Sequence, residues 1–307
     1  MMHSTKNSDA DYKTFLRPDV VSRLASMEMR ARLVVEGFIT GLHKSPYHGF
    51  SVEFAEHHQY MPGDEIRRID WKIYGKTDRF YIKQFEEETN LKAYICIDAS
   101  KSMDFKSEGS VTKLEYASYL AAALAYLLMH QQDAAGLVVY DETVRKYLPP
   151  HSTRSYLQTI LIELQNLKAA QKTGTAKALN AVAEQIRRRG LVIVFSDLFD
   201  NQDEVMQALK HFRYNNNEVL LFHVLDPRER NFAFGRDAIF RDLETGEEMM
   251  TQPFQIQRAY QSAMNEFIER YKRECREQRI DYVLLDTATP FDKALYEYLI
   301  KRKRIGG

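Results

Sequence analysis

The sequence predicts an α/β fold, in which a mostly parallel sheet carries helices on both faces. Two short apolar runs, at residues 94–97 and 191–195, are nearly continuous, as expected for strands buried on both sides of such a sheet. Each run leads to an aspartate, and stretches with apolar residues at helical spacing follow. Repeated alternation of strand and helix indicates a parallel sheet with helical crossovers.

The other elements are predicted from the same periodicities, in chain order. Thr112 and Glu115 form a capping-box pattern that opens a largely apolar helix reaching about residue 131. Strands are expected at residues 51–54, 80–85, 135–140, 144–148, 219–224 and 282–286, and a hairpin around 244–246. Helices are expected at residues 19–36, 152–167, 176–189, 202–213 and 253–277, and from Pro290 onward.

Composition and charge indicate a globular protein and do not favour nucleic acid or an anionic membrane as a partner. The chain has 307 residues, of which 44% are hydrophobic, so it can bury a true core. Lys and Arg number 43, as do Asp and Glu, and this neutral balance favours neither nucleic acid nor an anionic membrane as a partner. The two cysteines, Cys96 and Cys275, do not make a disulfide framework, which favours a reducing, cytoplasmic location.

We expect three parts along the chain. Residues 1–18 are polar and mixed in charge, and they are predicted to be a flexible lead-in rather than a signal peptide. Residues 19–90 are predicted to form a helix and a small β-rich subdomain, and residues 91–307 the α/β domain. The longest apolar stretch, residues 117–129, is too short to cross a bilayer, so no membrane span is expected.

Polar side chains follow the first buried strand at alternating positions. Asp98, Ser100 and Ser102 would place one carboxylate and two hydroxyls around a small, hard cation such as Mg²⁺. The same residue types are also ordinary in turns and helix caps. Asp197 follows a second strand at the same sheet edge, and a Thr-Gly-Thr loop at residues 173–175 lies between the two strands in sequence. Three loops that offer oxygen at one edge favour a cation site over unrelated turns.

Two motifs resemble known families. Asp98-x-Ser100-x-Ser102, with Thr175 and Asp197, resembles the metal-ion-dependent adhesion site (MIDAS) of von Willebrand factor A domains. A preceding block resembles the signature of domain-of-unknown-function family 58, over about residue 40 to the C-terminus. The residues of this block are Gly49, Phe50, Glu53, Phe54, Tyr60, Pro62, Gly63, Asp64, Arg67, Ile69, Asp70 and Trp71.

The resemblance implies a fold, an ion and a partner. The fold is a von Willebrand factor A-like, Rossmann-like domain, and the ion is Mg²⁺, or Mn²⁺ or Ca²⁺. The implied ligands are Asp98, Ser100, Ser102, Thr175 and Asp197. An ion with mostly neutral direct ligands stays electrophilic and can take a ligand from an exposed Asp or Glu of a partner. Family 58 proteins are commonly encoded beside MoxR-type AAA+ ATPases, so the expected function is a non-enzymatic scaffold that docks such an ATPase.

Two other functions stay open at this stage. If the metal site is empty and vestigial, the aromatic-rich N-terminal subdomain becomes the expected binding surface. Alternatively, Asp98 and Asp197 with Mg²⁺ would suit a phosphohydrolase. Against this second alternative, Lys101 is the only basic residue within the Asp98 motif, and the sequence has no glycine-rich phosphate-binding motif.

Three positions depart from the family patterns. Leu198 follows Asp197 where many A domains have glycine, which predicts a backbone less free to adopt positive φ. Thr173 competes with Thr175 for the ligand role, and Thr175 is preferred because it directly precedes the helix. His58 stands where the family block has arginine.

Other polar and aromatic residues have simpler structural interpretations. Trp71 is expected to be buried beside local ion pairs rather than to stack on a nucleic acid. His223 lies in an apolar strand and is expected to be a hydrogen-bonded core histidine. Asp226 is expected to be a strand-end turn residue, with a place at the metal edge as the alternative.

Overall fold

The computed structural model describes most of the chain from residue 91 onward and parts of the N-terminal region. The described residues are 17–44, 58–59, 74–75, 78–82, 91–107, 111–169, 174–186, 189–234, 238–241, 248–251 and 253–306. The predicted strand at 51–54, Trp71 and Thr173 lie outside these residues.

A six-stranded sheet organises the described part of the chain. The strands are β1 (His58–Gln59), β2 (Tyr81–Ile82), β3 (Lys92–Asp98), β4 (Ala134–Tyr140), β5 (Val144–His151), β6 (Leu191–Ser196), β7 (Glu218–Leu225), β8 (Ala238–Arg241), β9 (Glu248–Thr251) and β10 (Asp281–Asp286). Six of these strands form the main sheet, in the order β10-β7-β6-β3-β4-β5, and the pairs β1-β2 and β8-β9 are separate. In the main sheet, all neighbouring pairs are parallel except β4 and β5, so β5 is an antiparallel edge strand.

Helices connect the strands and cover the sheet. They are α1 (Pro18–Val21), α2 (Met27–Lys44), α3 (Lys113–His130), α4 (Arg154–Gln165), α5 (Thr175–Gln185), α6 (Gln202–Tyr214), α7 (Pro227–Asn231), α8 (Pro253–Glu277) and α9 (Phe291–Gly306). A 3₁₀ turn, Lys101–Asp104, follows β3. The predicted capping box at the start of α3 is confirmed, because the Glu115 amide donates to Thr112 Oγ1 and the Thr112 amide donates to Glu115 Oε2.

The sheet is buried on both faces, which confirms the predicted fold class. On one face, Ile95, Ile97 and Phe195 share a core with α2, α3, α4 and α9. On the other face, Tyr94 and Cys96 share a core with α5, α6 and α8. Side chains alternate between faces along a strand, so strands covered on both sides must be apolar at successive positions. This requirement explains the continuous apolar runs in the sequence.

The helix predicted over residues 19–36 is wrong as a single element, since α1 ends and α2 begins within that range. Ser26 Oγ accepts a backbone amide of the first turn of α2 at 3.2 Å, as a helix-capping side chain does. The Arg30 guanidinium donates to the carbonyls of Leu24 and Ser22, at 3.0 and 3.2 Å. These side-chain bonds stabilise the non-helical link between the two helices.

Helix α2 is part of the core of the sheet. Its buried residues, including Ala31, Val34 and Phe38, belong to the same core as α3 and the inner strands. The Arg30 guanidinium also lies 4.7 Å from the centre of the Tyr119 ring on α3. Helix α2, helix α3 and the inner strands therefore share one core.

The remaining elements agree with expectation apart from small shifts of their ends. Strands β8 and β9 pair antiparallel, with Arg241 opposite Glu248, as expected for strands that flank the predicted hairpin, whose residues 244–246 lie outside the described part of the chain. Helix α5 ends at Gln185 rather than at residue 189. In the N-terminal region, β1 and β2 pair antiparallel. Among the described residues, no helix combines the length and the apolar character needed to cross a membrane.

Candidate metal centre

The candidate centre lies at the carboxyl edge of the sheet, where β3 and β6 run side by side. These strands are parallel, with Ile97 opposite Phe195, so Asp98 at the end of β3 is next to Ser196 at the end of β6. Side chains alternate between the two faces. Ser196 therefore projects on the face of Asp98, whereas Asp197 projects toward the opposite face, on which α3 packs.

Asp98 is at the centre of a buried hydrogen-bond network. Its Oδ1 accepts the Ser100 amide at 2.9 Å. Its Oδ2 accepts the hydroxyls of Ser196 at 2.7 Å and Thr175 at 3.2 Å. Because the donors come from the β3 loop, the end of β6 and the start of α5, one carboxylate joins three separate segments of the chain.

The other predicted hydroxyl ligands are next to this carboxylate. Ser100 Oγ and Ser102 Oγ lie 3.0 Å apart, with Ser100 directly before the 3₁₀ turn and Ser102 within it. Thr175 is the first residue of α5, directly after Gly174. A Cβ at Gly174 would lie 2.7 Å from Glu142 Cα, so only glycine allows the close approach that places Thr175 here. The structure thus brings together four predicted ligands, namely Asp98, Ser100, Ser102 and Thr175.

The electrostatic environment of Asp98 opposes its negative charge. Burial and the nearby charge of Asp197 raise the pKa of Asp98 to about 6, although hydrogen bonds from Ser196 and Ser100 act in the opposite direction. Tyr140 lies opposite Asp98 on β4. Its buried hydroxyl has no hydrogen-bond partner within the described part of the chain, and burial and the charge of Asp98 raise its pKa. A cation at this position would relieve the repulsion between the two carboxylates.

The Asp197 carboxylate is paired with a lysine that the sequence analysis did not include. Lys113 Nζ donates to Asp197 Oδ2 at 2.7 Å, and both side chains are 0% exposed. The same ammonium donates to Glu229 Oε1 at 2.6 Å. Asp197 Oδ1 accepts the Phe199 amide at 3.3 Å. Asp197 therefore lies at the predicted edge, but its hydrogen bonds lead toward α3 and α7.

Lys113 is held in its charged form by its two acidic partners. Burial alone would lower the pKa of Lys113, but attraction to Asp197 and Glu229 outweighs it, and the pKa lies above the ordinary value for lysine. Burial raises the pKa of Glu229, and the nearby Lys113 charge acts in the opposite direction. Two acids thus share one buried cation.

Leu198 adopts the backbone conformation that its sequence predicted to be disfavoured. Its φ is +58°, in the left-handed region, although a leucine is less free than a glycine to adopt it. The Leu198 amide donates to Ser196 Oγ at 2.9 Å, and its carbonyl accepts the Asp200 amide at 2.8 Å. Its side chain is completely buried. These contacts hold a conformation that costs a non-glycine residue about 1–2 kcal/mol.

Two polar residues near the edge have the structural roles expected of them. His223 is buried, with Nε2 at 3.0 Å from the Asp197 carbonyl and Nδ1 at 2.7 Å from Tyr282 Oη. Asp226 caps helix α7 through the Arg228 amide. Its Oδ2 also accepts the Ser107 amide and hydroxyl, each at 2.9 Å, so it anchors the loop that follows the 3₁₀ turn.

Sequence reasoning missed three residues of the site: Ser196, Lys113 and Glu229. Side-chain alternation was a usable signal for Ser196, since the residue before Asp197 must point to the other face of the sheet. Lys113 and Glu229 gave no local signal, because their positions depend on how α3 and α7 pack. In the described part of the chain, no cluster of three or more His, Cys, Asp or Glu side chains is placed to hold a metal ion. The candidate centre relies on hydroxyls instead.

Comparison with known proteins places the chain in a family. Residues 56–273 match the family described as "Protein of unknown function DUF58". The chain belongs to this family. DUF58 therefore covers the whole candidate centre, from Asp98 to Glu229.

Relatives and solved structures were also found for this DUF58 chain. It is 26% identical over 232 residues to the uncharacterised proteins Mb1516 of Mycobacterium bovis and Rv1480 of Mycobacterium tuberculosis, covering 75% of this chain and 72% of each relative. Among solved structures, it resembles the conserved hypothetical protein BatB from Bacteroides thetaiotaomicron, with a TM-score of 0.47, 18% identity and coverage of 69% and 99%. It also resembles the SpRpn10 VWA domain, with a TM-score of 0.37, 13% identity and coverage of 66% and 92%.

Proposed function

We propose that this DUF58 chain is a non-enzymatic protein-interaction module that binds an acidic partner through a divalent cation. The ion is Mg²⁺, with Mn²⁺ or Ca²⁺ as substitutes. Asp98, Ser100, Ser102 and Thr175 would hold it, with Asp197 as the fifth predicted ligand. The observation that carries the proposal is the grouping of these first four residues at the carboxyl edge of the sheet, where Asp98, Ser100 and Thr175 are buried and Ser102 is half-buried.

The side chains at this point suit a hard cation. All four offer oxygen, which Mg²⁺ and Ca²⁺ prefer over nitrogen and sulfur. Asp98 is buried and receives only neutral donors, so a cation would balance a charge that burial disfavours. The hydroxyl of Tyr140, buried beside Asp98 without a described partner, is a further polar group available to an ion-bound water.

The same donor set explains why the ion would bind a partner. Hydroxyl ligands are neutral, so they leave most of the ionic charge of a divalent cation uncompensated. A carboxylate from another protein can then complete the coordination. The expected partner presents an exposed Asp or Glu, and a MoxR-type AAA+ ATPase is the proposed candidate.

Lysine positions favour binding over phosphoryl chemistry. Besides the metal ion, a phosphohydrolase of this kind uses a basic side chain that is free to bind the phosphate. Lys101 Nζ is bound to Asp104 at 2.6 Å, and Lys113 is enclosed between Asp197 and Glu229. Lys101 and Lys113 are therefore both already paired.

The first test is calorimetric titration of Mg²⁺ and Mn²⁺ into EDTA-treated protein. We expect saturable binding to the wild type and loss of binding in Asp98→Asn, which removes the central charge but keeps the shape of the side chain. Asp104→Asn is a matched control, because Asp104 lies in the 3₁₀ turn that follows β3 and is exposed. Equal titrations of the wild type and Asp98→Asn would contradict the proposal.

The second test addresses the partner. A MoxR-type ATPase should bind the immobilised protein in Mg²⁺ and should be released by EDTA. Binding that is the same in EDTA and in Mg²⁺ would show that the interaction does not use the ion.

A further inference from the structure

Lys113 places a buried positive charge next to the candidate centre. Its ammonium lies 2.7 Å from Asp197 Oδ2 and 2.6 Å from Glu229 Oε1, with no exposure of the lysine side chain. The rings of Phe199 and Phe105 lie 4.9 and 6.0 Å from the nitrogen. An ammonium enclosed by aromatic rings and away from water has no alternative partners nearby, so this pairing is a fixed part of the site.

The carboxylates of Asp197 and Asp98 differ in whether they have a charged partner. Asp197 accepts a hydrogen bond at each oxygen, at Oδ2 from the Lys113 ammonium and at Oδ1 from the Phe199 amide. Asp98 accepts hydrogen bonds from the Ser100 amide and from two hydroxyls. Among the described residues, no lysine, arginine or histidine forms an ion pair with Asp98. Only the charge of Asp98 is thus available to an incoming cation.

We infer that Lys113 acts as an internal counter-ion that keeps Asp197 out of the metal's ligand set. The inference rests on the proposed function and goes beyond it by assigning a role to a residue outside the predicted ligands. The ion is then held by one carboxylate, Asp98, and by the hydroxyls of Ser100, Ser102 and Thr175.

This arrangement favours partner binding at the expense of metal affinity. A divalent ion with one anionic ligand keeps more positive charge than an ion with two, and attracts an external carboxylate more strongly. Because Asp197 does not contribute its charge, the protein without its partner binds the ion with lower affinity. The partner recognised at this site is therefore an acidic side chain that adds the second negative charge.

A charge-balanced double variant tests the inference by titration with Mn²⁺ and Mg²⁺. Lys113→Met with Asp197→Asn removes one positive and one negative charge, so the net charge of the cluster is unchanged, and the remaining acid is Glu229, whose side chain is 14% exposed. If Asp197 is only the counter-ion of Lys113, the double variant should keep the wild-type Kd to within about threefold. Circular dichroism verifies that the variant is folded.

The single variant Lys113→Met gives an independent and opposite prediction. It frees the charge of Asp197 for the ion, so the Kd for Mn²⁺ should fall by about tenfold or more. Lys101→Met is the matched control, since Lys101 lies between two predicted ligands but pairs with exposed Asp104. It should change the Kd by less than about threefold.

The outcomes separate this inference from the proposed function. If the wild type binds the ion and the double variant loses about tenfold or more, Asp197 is a ligand and the inference is overturned, while the proposed function stands. If neither the wild type nor any of the variants binds Mn²⁺ or Mg²⁺, both are overturned. If the wild type binds the ion and Lys113→Met binds it no more tightly, Lys113 does not withhold Asp197 and the inference is overturned, while the proposed function stands.

Discussion

Three aspartates at the carboxyl edge of the sheet have three different environments. Asp98 is surrounded by neutral donors, Asp197 pairs with a buried lysine, and Asp226 caps a helix and anchors a loop. All three follow apolar strands, so their sequence contexts are alike. The partner of each acid, rather than its place after a strand, determines what it can do. An ion can bind with least competition where the donors are neutral, which is at Asp98.

His223 provides a prediction of pH dependence. Burial lowers its pKa to about 3 from 6.5, although the charge of Asp197 acts in the opposite direction. Both ring nitrogens are bonded in the neutral form, with Nε2–H donating to the Asp197 carbonyl and Nδ1 accepting from Tyr282. Below pH 6.5 the His223 side chain binds a proton in the unfolded chain but not in the folded chain. The free energy of unfolding therefore decreases as the pH is lowered. From pH 6.5 to 5 this contribution amounts to about 2 kcal/mol.

The measurement is urea unfolding of the wild type and His223→Gln at several pH values. The stability advantage of the wild type should shrink as the pH falls from 6.5 to 5. Asp98, whose raised pKa makes stability fall as pH rises between 3.8 and about 6, is present in both proteins and cancels in the difference. Parallel stability curves for the two proteins would show that His223 titrates as it does in the unfolded chain.

At the scale of single elements, the start of α5 depends on close packing. Gly174 precedes Thr175 and lies against the backbone of the loop between β4 and β5, where a Cβ would be 2.7 Å from Glu142 Cα. Gly174→Ala should therefore push the start of α5 away, lower the free energy of unfolding by about 1–3 kcal/mol and weaken Mn²⁺ binding by displacing Thr175.

Gly75→Ala is the control for this variant, because a Cβ at Gly75 meets no atom of the described residues within 4 Å. Its effect on stability should be within about 0.5 kcal/mol, with no change in the Kd for Mn²⁺. Chemical denaturation and ion titration are measured on both variants. If Gly174→Ala is as stable as Gly75→Ala and binds Mn²⁺ with the same Kd, the close approach of Gly174 to Glu142 is contradicted.

Element boundaries were predictable where the signal is local. The capping box at Thr112 and Glu115 marks the start of α3, because both of its bonds form within one turn. The interruption between α1 and α2 was not predictable from apolar spacing. It depends on bonds from Arg30 to the carbonyls of Ser22 and Leu24, which form only once the chain has turned.

For the whole molecule, the order of strands and helices was predictable, but the contacts between helices were not. Apolar runs identify strands buried on both faces, and parallel crossovers bring their carboxyl ends to one edge. Asp98, Ser100, Ser102 and Thr175 could therefore be grouped from the sequence. Lys113 could not be placed with Asp197, because its position depends on the packing of α3 onto the sheet.

The packing of α2 leads to a prediction about the cooperativity of the whole fold. Phe38 on α2 is 3% exposed and belongs to the core shared by the sheet and α3, whereas Met29 on the same helix is 53% exposed. Phe38→Ala should lower the free energy of unfolding by about 3–5 kcal/mol through the cavity it leaves, and Met29→Ala by less than about 0.5 kcal/mol. Both are measured by thermal and urea unfolding.

Because α2 and the sheet share one core, they should unfold in a single transition, and a chain that begins at residue 91 should lose stability by more than Phe38→Ala does. Removing α2 exposes the apolar face of α3 to water, and burial of that face contributes in proportion to the area removed from solvent. If the chain from residue 91 to the C-terminus unfolds at the same temperature as the full chain, α2 packs on the sheet without stabilising it. The part of the chain after the predicted boundary at residue 90 would then be as stable alone as in the full chain.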